Sequence, residues 1–473
     1  MPASFGPCLC RRRCACWAAG TGGSRGGWRA FWNQVLATPE TPPPEWSVMS
    51  RSRSPWFGSR PPSFASRPPS SRSRSGSSWP LLLVALALAG CSGGGPTLAN
   101  RPVVRPEPPP SPSQSPAPHD PLPITFPRDD GPHHRLTEWW YYTGHLVADD
   151  GRRFGFEFVV FRAERGGFPL GWASHVALTD EGAGRFHYAQ RNEVGPQVDH
   201  SPTTAGSPDG FALTLSAVPG ALASPGPATA LPPPSDATPW SMAGTQEGGR
   251  LIASASAGEV ANGQGAFGLD LSLGSGPVVL QHQYGFVDFG AGGGSYYYSR
   301  PRQPVVRGTV TVGGQAVSVR GTAWFDHEWG DFVSIGGGWQ WFAINLSDGR
   351  SITLWLVRDA TGSPVLAYGT LGAASTVHLT QADFEVAATG NWRSPHTRAD
   401  YPAGWRVAIS QANLLLDLVP TLPDQELDAR STTGEVYWEG SQRVTVRSSS
   451  GVAIPSLSGE AYVELTGYAP AGG

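Results

Sequence analysis

The body of this chain reads as all-β, and three observations carry that reading. Short apolar runs rich in β-branched and aromatic residues recur from Ile124 onward. Glycine-rich turns separate them, and no long stretch shows the 3.6-residue period of a helix.

Ahead of that body, the run Leu81-Leu82-Leu83-Val84-Ala85-Leu86-Ala87-Leu88-Ala89 follows an arginine-rich stretch. It is too short to span a bilayer and reads as the core of a signal peptide. It ends in Leu88-Ala89-Gly90-Cys91, and small residues before a cysteine resemble the bacterial lipobox, at which lipid is added to the thiol and the chain is cut on its amino side. The expectation is an exported lipoprotein of the cell envelope, with residues 1–90 as leader and lipid on Cys91. Signal peptides are short, so a natural start downstream of Met1 is expected, with Met49 the obvious candidate. Ser92 follows the cysteine where an aspartate would favour inner-membrane retention, which points to the outer membrane in an organism with two.

Cys8, Cys10, Cys14 and Cys16 fall in the leader and lack the C-x-x-C pairs usual for zinc. Beyond the leader only Cys91 remains, so no disulfide is expected and the fold must rest on packing. Residues 1–90 carry eleven arginines against Glu40 and Glu45, and with a whole-chain charge of −3 the remainder is strongly acidic. Nucleic acid is therefore not an expected partner, since phosphate binding needs a basic face.

Residues 91–123 are proline-rich, with Pro106-Glu107-Pro108-Pro109-Pro110, and read as an extended spacer. Within the body, Phe267 to Leu273 alternates with period two. Val310 to Val319 reads as a hairpin turning on Gly313-Gly314. Residues 217–240, with Pro232-Pro233-Pro234, read as a surface excursion. An internal echo is more informative. Trp139-Trp140-Tyr141-Tyr142, Asp149-Asp150-Gly151 and Phe154 to Arg162 give an aromatic strand, a turn and an apolar strand. Trp339-Gln340-Trp341-Phe342, Ser347-Asp348-Gly349 and Ile352 to Arg358 repeat that order. Two similar β units in tandem follow, each of ordinary domain size.

Four stretches carry a family resemblance: Glu138-Trp139-Trp140-Tyr141-Tyr142-Thr143-Gly144-His145-Leu146, Tyr297-Tyr298-Ser299-Arg300-Pro301-Arg302, Gly321 to Gly330 with Trp324-Phe325-Asp326-His327-Glu328-Trp329, and Glu464-Leu465-Thr466-Gly467-Tyr468. Together they resemble the family of two-domain lipocalin-like proteins that includes the AttH proteins and the carotenoid 1,2-hydratases. The resemblance implies two tandem lipocalin-like antiparallel β-barrels, expected at 124–305 and 306–470. Each would have an interior able to receive an elongated apolar molecule. No metal or cofactor is expected.

If Trp324 to Trp329 is a strand, Phe325, His327 and Trp329 share one face, and Trp324, Asp326 and Glu328 share the other. His327 can carry a proton near neutral pH, and Trp329 can stack on a polyene or face a carbocation. His327 and Trp329 are expected to point together into a cavity. In the hydratases a histidine and a tryptophan two residues apart are implicated in adding water to a terminal double bond, and this pair matches them. The hydratase pattern also has a tyrosine and an aspartate, two residues apart, on a following strand. Here that strand, Ile352 to Val357, has no acid before Asp359, which sets the chain nearer the AttH branch, often labelled predicted secreted hydrolases.

Glu157 lies in the apolar run Phe156 to Phe161, where a carboxylate is costly unless paired or functional. It reads as a catalytic acid, as a partner of an arginine such as Arg162, or as a group that faces water from a barrel exterior. Trp140, Tyr142, His175, His282 and Trp341 sit where they line a ligand cavity or fill a core. Two functions fit these residues. The first is a tethered binding protein for a lipid or isoprenoid-like apolar molecule, favoured because it requires only a cavity. The alternative is an enzyme acting on such a molecule, a hydrolase or a hydro-lyase, with His327 and a carboxylate carrying protons.

Overall fold

Aromatic residues at alternate positions dictate strands with two different faces, and here neither face of the central strands meets water. The computed structural model describes residues 123–166, 168–216, 238–290, 293–332, 337–359, 361–373 and 375–469, all within the unit Cys91–Gly473. The leader, Cys91, the spacer up to residue 122 and residues 217–237 of the expected excursion lie outside the described residues.

The first sheet contains β1 (Thr137–Ala148), β2 (Arg153–Ala163), β3 (Gly171–Asp180), β4 (Arg185–Val194), β5 (Phe211–Leu215), β6 (Trp240–Thr245), β7 (Gly248–Ala255), β8 (Phe267–Gly274), β9 (Gly293–Val312) and β10 (Gln315–Phe332). They lie in the order β4-β3-β2-β1-β10-β9-β8-β7-β6-β5, and short strands at Val279–Leu280 and Phe286–Asp288 add to β9. A bridge from Asp199 to Leu213 draws the two ends together, so the sheet nearly closes into a barrel.

The second sheet contains β11 (Trp339–Leu346), β12 (Ser351–Arg358), β13 (Pro364–Gly372), β14 (Thr376–Thr380), β15 (Phe384–Ala388), β16 (Trp405–Ile409), β17 (Leu414–Pro420), β18 (Glu435–Ser448) and β19 (Ala453–Thr466). Their order is β14-β13-β12-β11-β19-β18-β17-β16-β15, with Glu426–Ala429 added to β18. In each sheet the first strand therefore pairs with the last. The echo extends to the turns. Gly151 and Gly349 both take positive φ, 87° and 97°. Asp150 and Asp348 each accept the backbone N–H of the arginine two residues on, at 3.0 and 3.1 Å.

The expected boundary at 305/306 needs correction. It falls inside β9, and the first sheet runs on to Phe332 before β11 opens the second at Trp339. The reason is the Gly313-Gly314 hairpin, which folds β10 back along β9, where its other edge pairs with β1.

Alternation sorts the side chains into three layers. Trp140, Tyr142, Phe156, Phe158, Phe325 and Trp329 fill the first barrel. Phe342, Leu354, Trp405 and Trp438 fill the second unit. Between the two sheets Tyr141, Tyr297 and Trp324 meet Trp341, Trp355 and Tyr462. Gly144 in β1 is required by closeness: a Cβ there would stand 2.4 Å from the carbonyl oxygen of Thr322 and 2.6 Å from the Phe156 ring.

Candidate active site in the first barrel

The register of β1 on β10 sets Glu138 opposite Trp329, Trp140 opposite His327, and Tyr142 opposite Phe325. All six face inward, because residues two apart on a strand share a face. His327 and Glu138 are completely buried. His327 Nε2 lies 3.0 Å from Glu138 Oε1. The same oxygen is 2.8 Å from His133 Nδ1, and the His133 backbone N–H also points at the carboxylate. His133 Nε2 in turn lies 3.3 Å from Asp129 Oδ1. The His133 ring stacks on Trp329 with centroids 4.0 Å apart, while His327 lies 4.9 Å from Trp140 and 4.7 Å from Trp329.

Charges follow from these contacts. Burial opposes ionisation of Glu138, but hydrogen bonds from His133 and His327 outweigh it and hold its carboxyl below the ordinary range. An ionised carboxylate only accepts, so both imidazoles donate to it. For His133, burial works against the charge, but Asp129 and Glu138 raise it. Its two nitrogens face two carboxylates, the arrangement of an imidazolium. For His327, burial outweighs Glu138 and lowers it, so the ring is neutral. With the proton on Nε2, its Nδ1 carries a lone pair, and Nδ1 has no hydrogen-bond partner. Trp140 Nε1, in the same stack, is also without an acceptor.

The segment before β1 covers this end of the barrel. Phe126 packs edge-on against Tyr298 at 4.9 Å. Asp130 accepts from Tyr298 Oη and Arg300 Nη2, each at 2.6 Å. As a result His327 and Trp329 do point together into the barrel, but onto packed aromatic rings, and His327 is not the unpaired, cavity-facing imidazole that the strand pattern suggested. Trp140 and Tyr142 are likewise core-packed, at 0 and 1 % exposure.

The remaining candidates lie elsewhere, because odd-numbered positions of β2 and β3 face the second sheet. Glu157 accepts from Tyr437 Oη at 2.9 Å, not from Arg162, and the same hydroxyl is 2.7 Å from His175 Nδ1. His175 Nε2 is 2.9 Å from Thr432 Oγ1, so both ring nitrogens are engaged. Trp341 Nε1 donates to Tyr297 Oη at 3.3 Å in the same layer. His282 sits in the short helical turn His282–Gly285, against the Tyr368 ring at 4.6 Å.

Asp326 and Glu328 face the second sheet too, and with Glu157, Glu439 and the half-buried Glu464 they make five carboxyls between the sheets. Tyr297 Oη donates to Asp326 at 2.5 Å, Trp324 Nε1 at 2.7 Å, and Ser295 to Glu328 at 2.7 Å, while Tyr141 donates to Glu439. None of the five has an ion pair among the described residues. Burial pushes Asp326 and Glu464 up to about 7, Glu157 and Glu328 up to about 8, and Glu439 well up.

Strand pattern alone missed Glu138 and His133. Glu138 was accessible to it, being two residues before Trp140 on the same face; His133 belongs to a loop without periodicity. No metal was expected, yet His133, Glu138 and His327 each offer a ligand atom within 4.8 Å of one another. Glu138 Oε1 lies at hydrogen-bond distance from both rings.

A family model described as AttH-like matches residues 117–468. The chain is similar to the AttH protein of Nitrosomonas europaea, at 29 % identity over 74 % of this chain and 98 % of that one, with a TM-score of 0.59. It also shares its fold with kievitone hydratase from Nectria haematococca, at 16 % identity over 73 and 93 % of the two chains, with a TM-score of 0.51. Among curated proteins nothing matches.

Proposed function

We propose that this chain, which belongs to the AttH-like family, is an enzyme that uses His327 as a general base on an elongated apolar substrate admitted to the first barrel. The observation behind this reading is the Glu138–His327 pair, in which an ionised carboxylate holds the Nε2 proton and leaves Nδ1 as an unpartnered lone pair in an aromatic cage. The equally buried His175, by contrast, has both ring nitrogens engaged. For an ester substrate, Nδ1 takes the proton of a water as its oxygen attacks the acyl carbon, then returns it to the departing alkoxide. Glu138 stabilises the imidazolium in between. Trp140 Nε1 is the free donor available to the oxyanion. Hydrolysis is favoured over hydration because Trp355 and Val357, on the strand where the hydratase pattern places its acid, supply none.

In the closed arrangement His327 has no exposed surface, so substrate enters only when residues 124–136 lift from the barrel end. Lipid at Cys91 would tether the enzyme outside the cytoplasm, a reading supported by the Leu88-Ala89-Gly90-Cys91 sequence. Purified full-length protein assayed on p-nitrophenyl esters of increasing chain length tests the chemistry. His327→Gln is expected to lower kcat by about 10²- to 10⁴-fold, and Glu138→Gln to lower it similarly, with circular dichroism unchanged. Wild-type turnover that survives His327→Gln, or no turnover on any ester, overturns the hydrolase reading.

A further inference from the structure

A cleft of about 500 Å3 opens between the two sheets, on the side of the β1–β2 and β11–β12 turns and away from His327. Its walls are unlike the rest of the inter-sheet layer. Where that layer holds five carboxyls with no facing cation, Arg153, Arg302 and Arg443 converge here. Arg153 pairs with Glu460, and Arg443 with Glu181. Arg302 has no ion pair among the described residues and spends one nitrogen on the carbonyls of Leu346 and Arg350. Four polar atoms at this cleft are buried without a hydrogen-bond partner: Arg302 Nε, Arg153 Nε, His145 Nε2 and Asn345 Oδ1. Trp324, Tyr462 and Ala343 supply apolar wall beside them.

Buried donors without acceptors are rare in folded proteins, and a concave site with a few convergent polar groups over apolar wall is the ordinary form of a small-molecule site. Arg302 feels the Asp348 carboxylate but makes no ion pair with it, and the volume is that of a small ligand. We propose that this cleft binds a single-chain amphiphilic acid, its oxyanion on Arg302 and Arg153 and its stem against Trp324 and Tyr462. Arginine suits the head group because its planar fork matches a carboxylate or phosphate. The proposal is independent of the His327 chemistry, because the two places lie on opposite faces of β1 and β10.

Calorimetric titration of the full-length protein with dodecanoate, dodecyl phosphate, dodecanol and acetate, each below its micellar concentration, tests it. Dodecanoate or dodecyl phosphate is expected to bind, the tighter of the two naming the head group, with dodecanol and acetate at least tenfold weaker. Arg302→Gln should weaken the acid at least tenfold. Because Arg302 also holds a turn, Thr445→Trp, on the exposed rim of the cleft, serves as a second variant that fills the mouth and should block binding without touching the core. His327→Gln should leave this binding unchanged. The proposal is overturned if neither acid binds, if dodecanol binds as tightly as the acids, or if the acid binds Thr445→Trp as it binds the wild type.

Discussion

Replacing Glu328 by glutamine probes the charge state of the layer between the sheets. Burial raises this carboxyl from an ordinary 4.5 to about 8; Ser295 donates to one oxygen, and the other has no partner. The folded protein therefore holds a proton that the unfolded chain gives up. The stability tied to that proton is fully present below pH 4.5 and is lost as pH rises through about 8. Integrated for one group over that window, the loss between pH 5 and pH 8 is about 3 to 4 kcal/mol. An amide keeps the shape and does not titrate. Relative to wild type, Glu328→Gln should thus be more stable at pH 8 than at pH 5 by up to about 3 to 4 kcal/mol, whatever its offset at pH 5. Urea unfolding at the two pH values, followed by tryptophan fluorescence, measures the difference. An equal offset at both would refute a protonated Glu328 and, with it, the neutral-carboxyl account of the layer.

Two further outcomes are expected. Trp329→Ala should destabilise the protein by about 3 to 5 kcal/mol, because a nearly buried indole stacked on His133 and Tyr296 leaves a cavity that its neighbours cannot close; a loss under about 1 kcal/mol in urea unfolding would contradict that packing. Cys91→Ala should abolish incorporation of labelled fatty acid in the expressing cell, and labelling that persists would remove the tether.

Period-two alternation revealed much of the architecture before any coordinates. It put Phe325, His327 and Trp329 on one face and Asp326 and Glu328 on the other, and the repeated aromatic-turn-apolar hairpin announced two related units. It could not say what lay beyond the outer face. Asp326 and Glu328 read as the outside of a barrel, which is ordinarily wet, whereas the second sheet covers them. Glu157 had the same ambiguity, and its partner, Tyr437, is 280 positions away. His133 was hidden for another reason: its position depends on how residues 124–136 cross the barrel end, and loops carry no period from which to infer a face. The boundary was misplaced because the β9–β10 hairpin reads as a self-sufficient unit, when its pairing with β1 is what assigns it to the first sheet.

Joining the first strand of each sheet to its last has a consequence for how the protein comes into being. The pair that spans the seam of the first sheet, Glu138 with His327, is 189 positions apart, and Trp339 with Thr466 in the second is 127 apart. Loop-closure entropy must be met before either seam contributes stability, so this high contact order predicts slow folding, on the scale of the slowest β proteins. On a chain that emerges from its amino end, β1 waits with one edge unpaired while nearly the whole first unit is delivered. That delay exposes an aromatic strand to aggregation and gives a holding chaperone something to grip. It also means that His327 reaches Glu138 only as the last strand of its sheet docks on β1, so the proposed active site is assembled late, and a half-made protein has no catalytic pair.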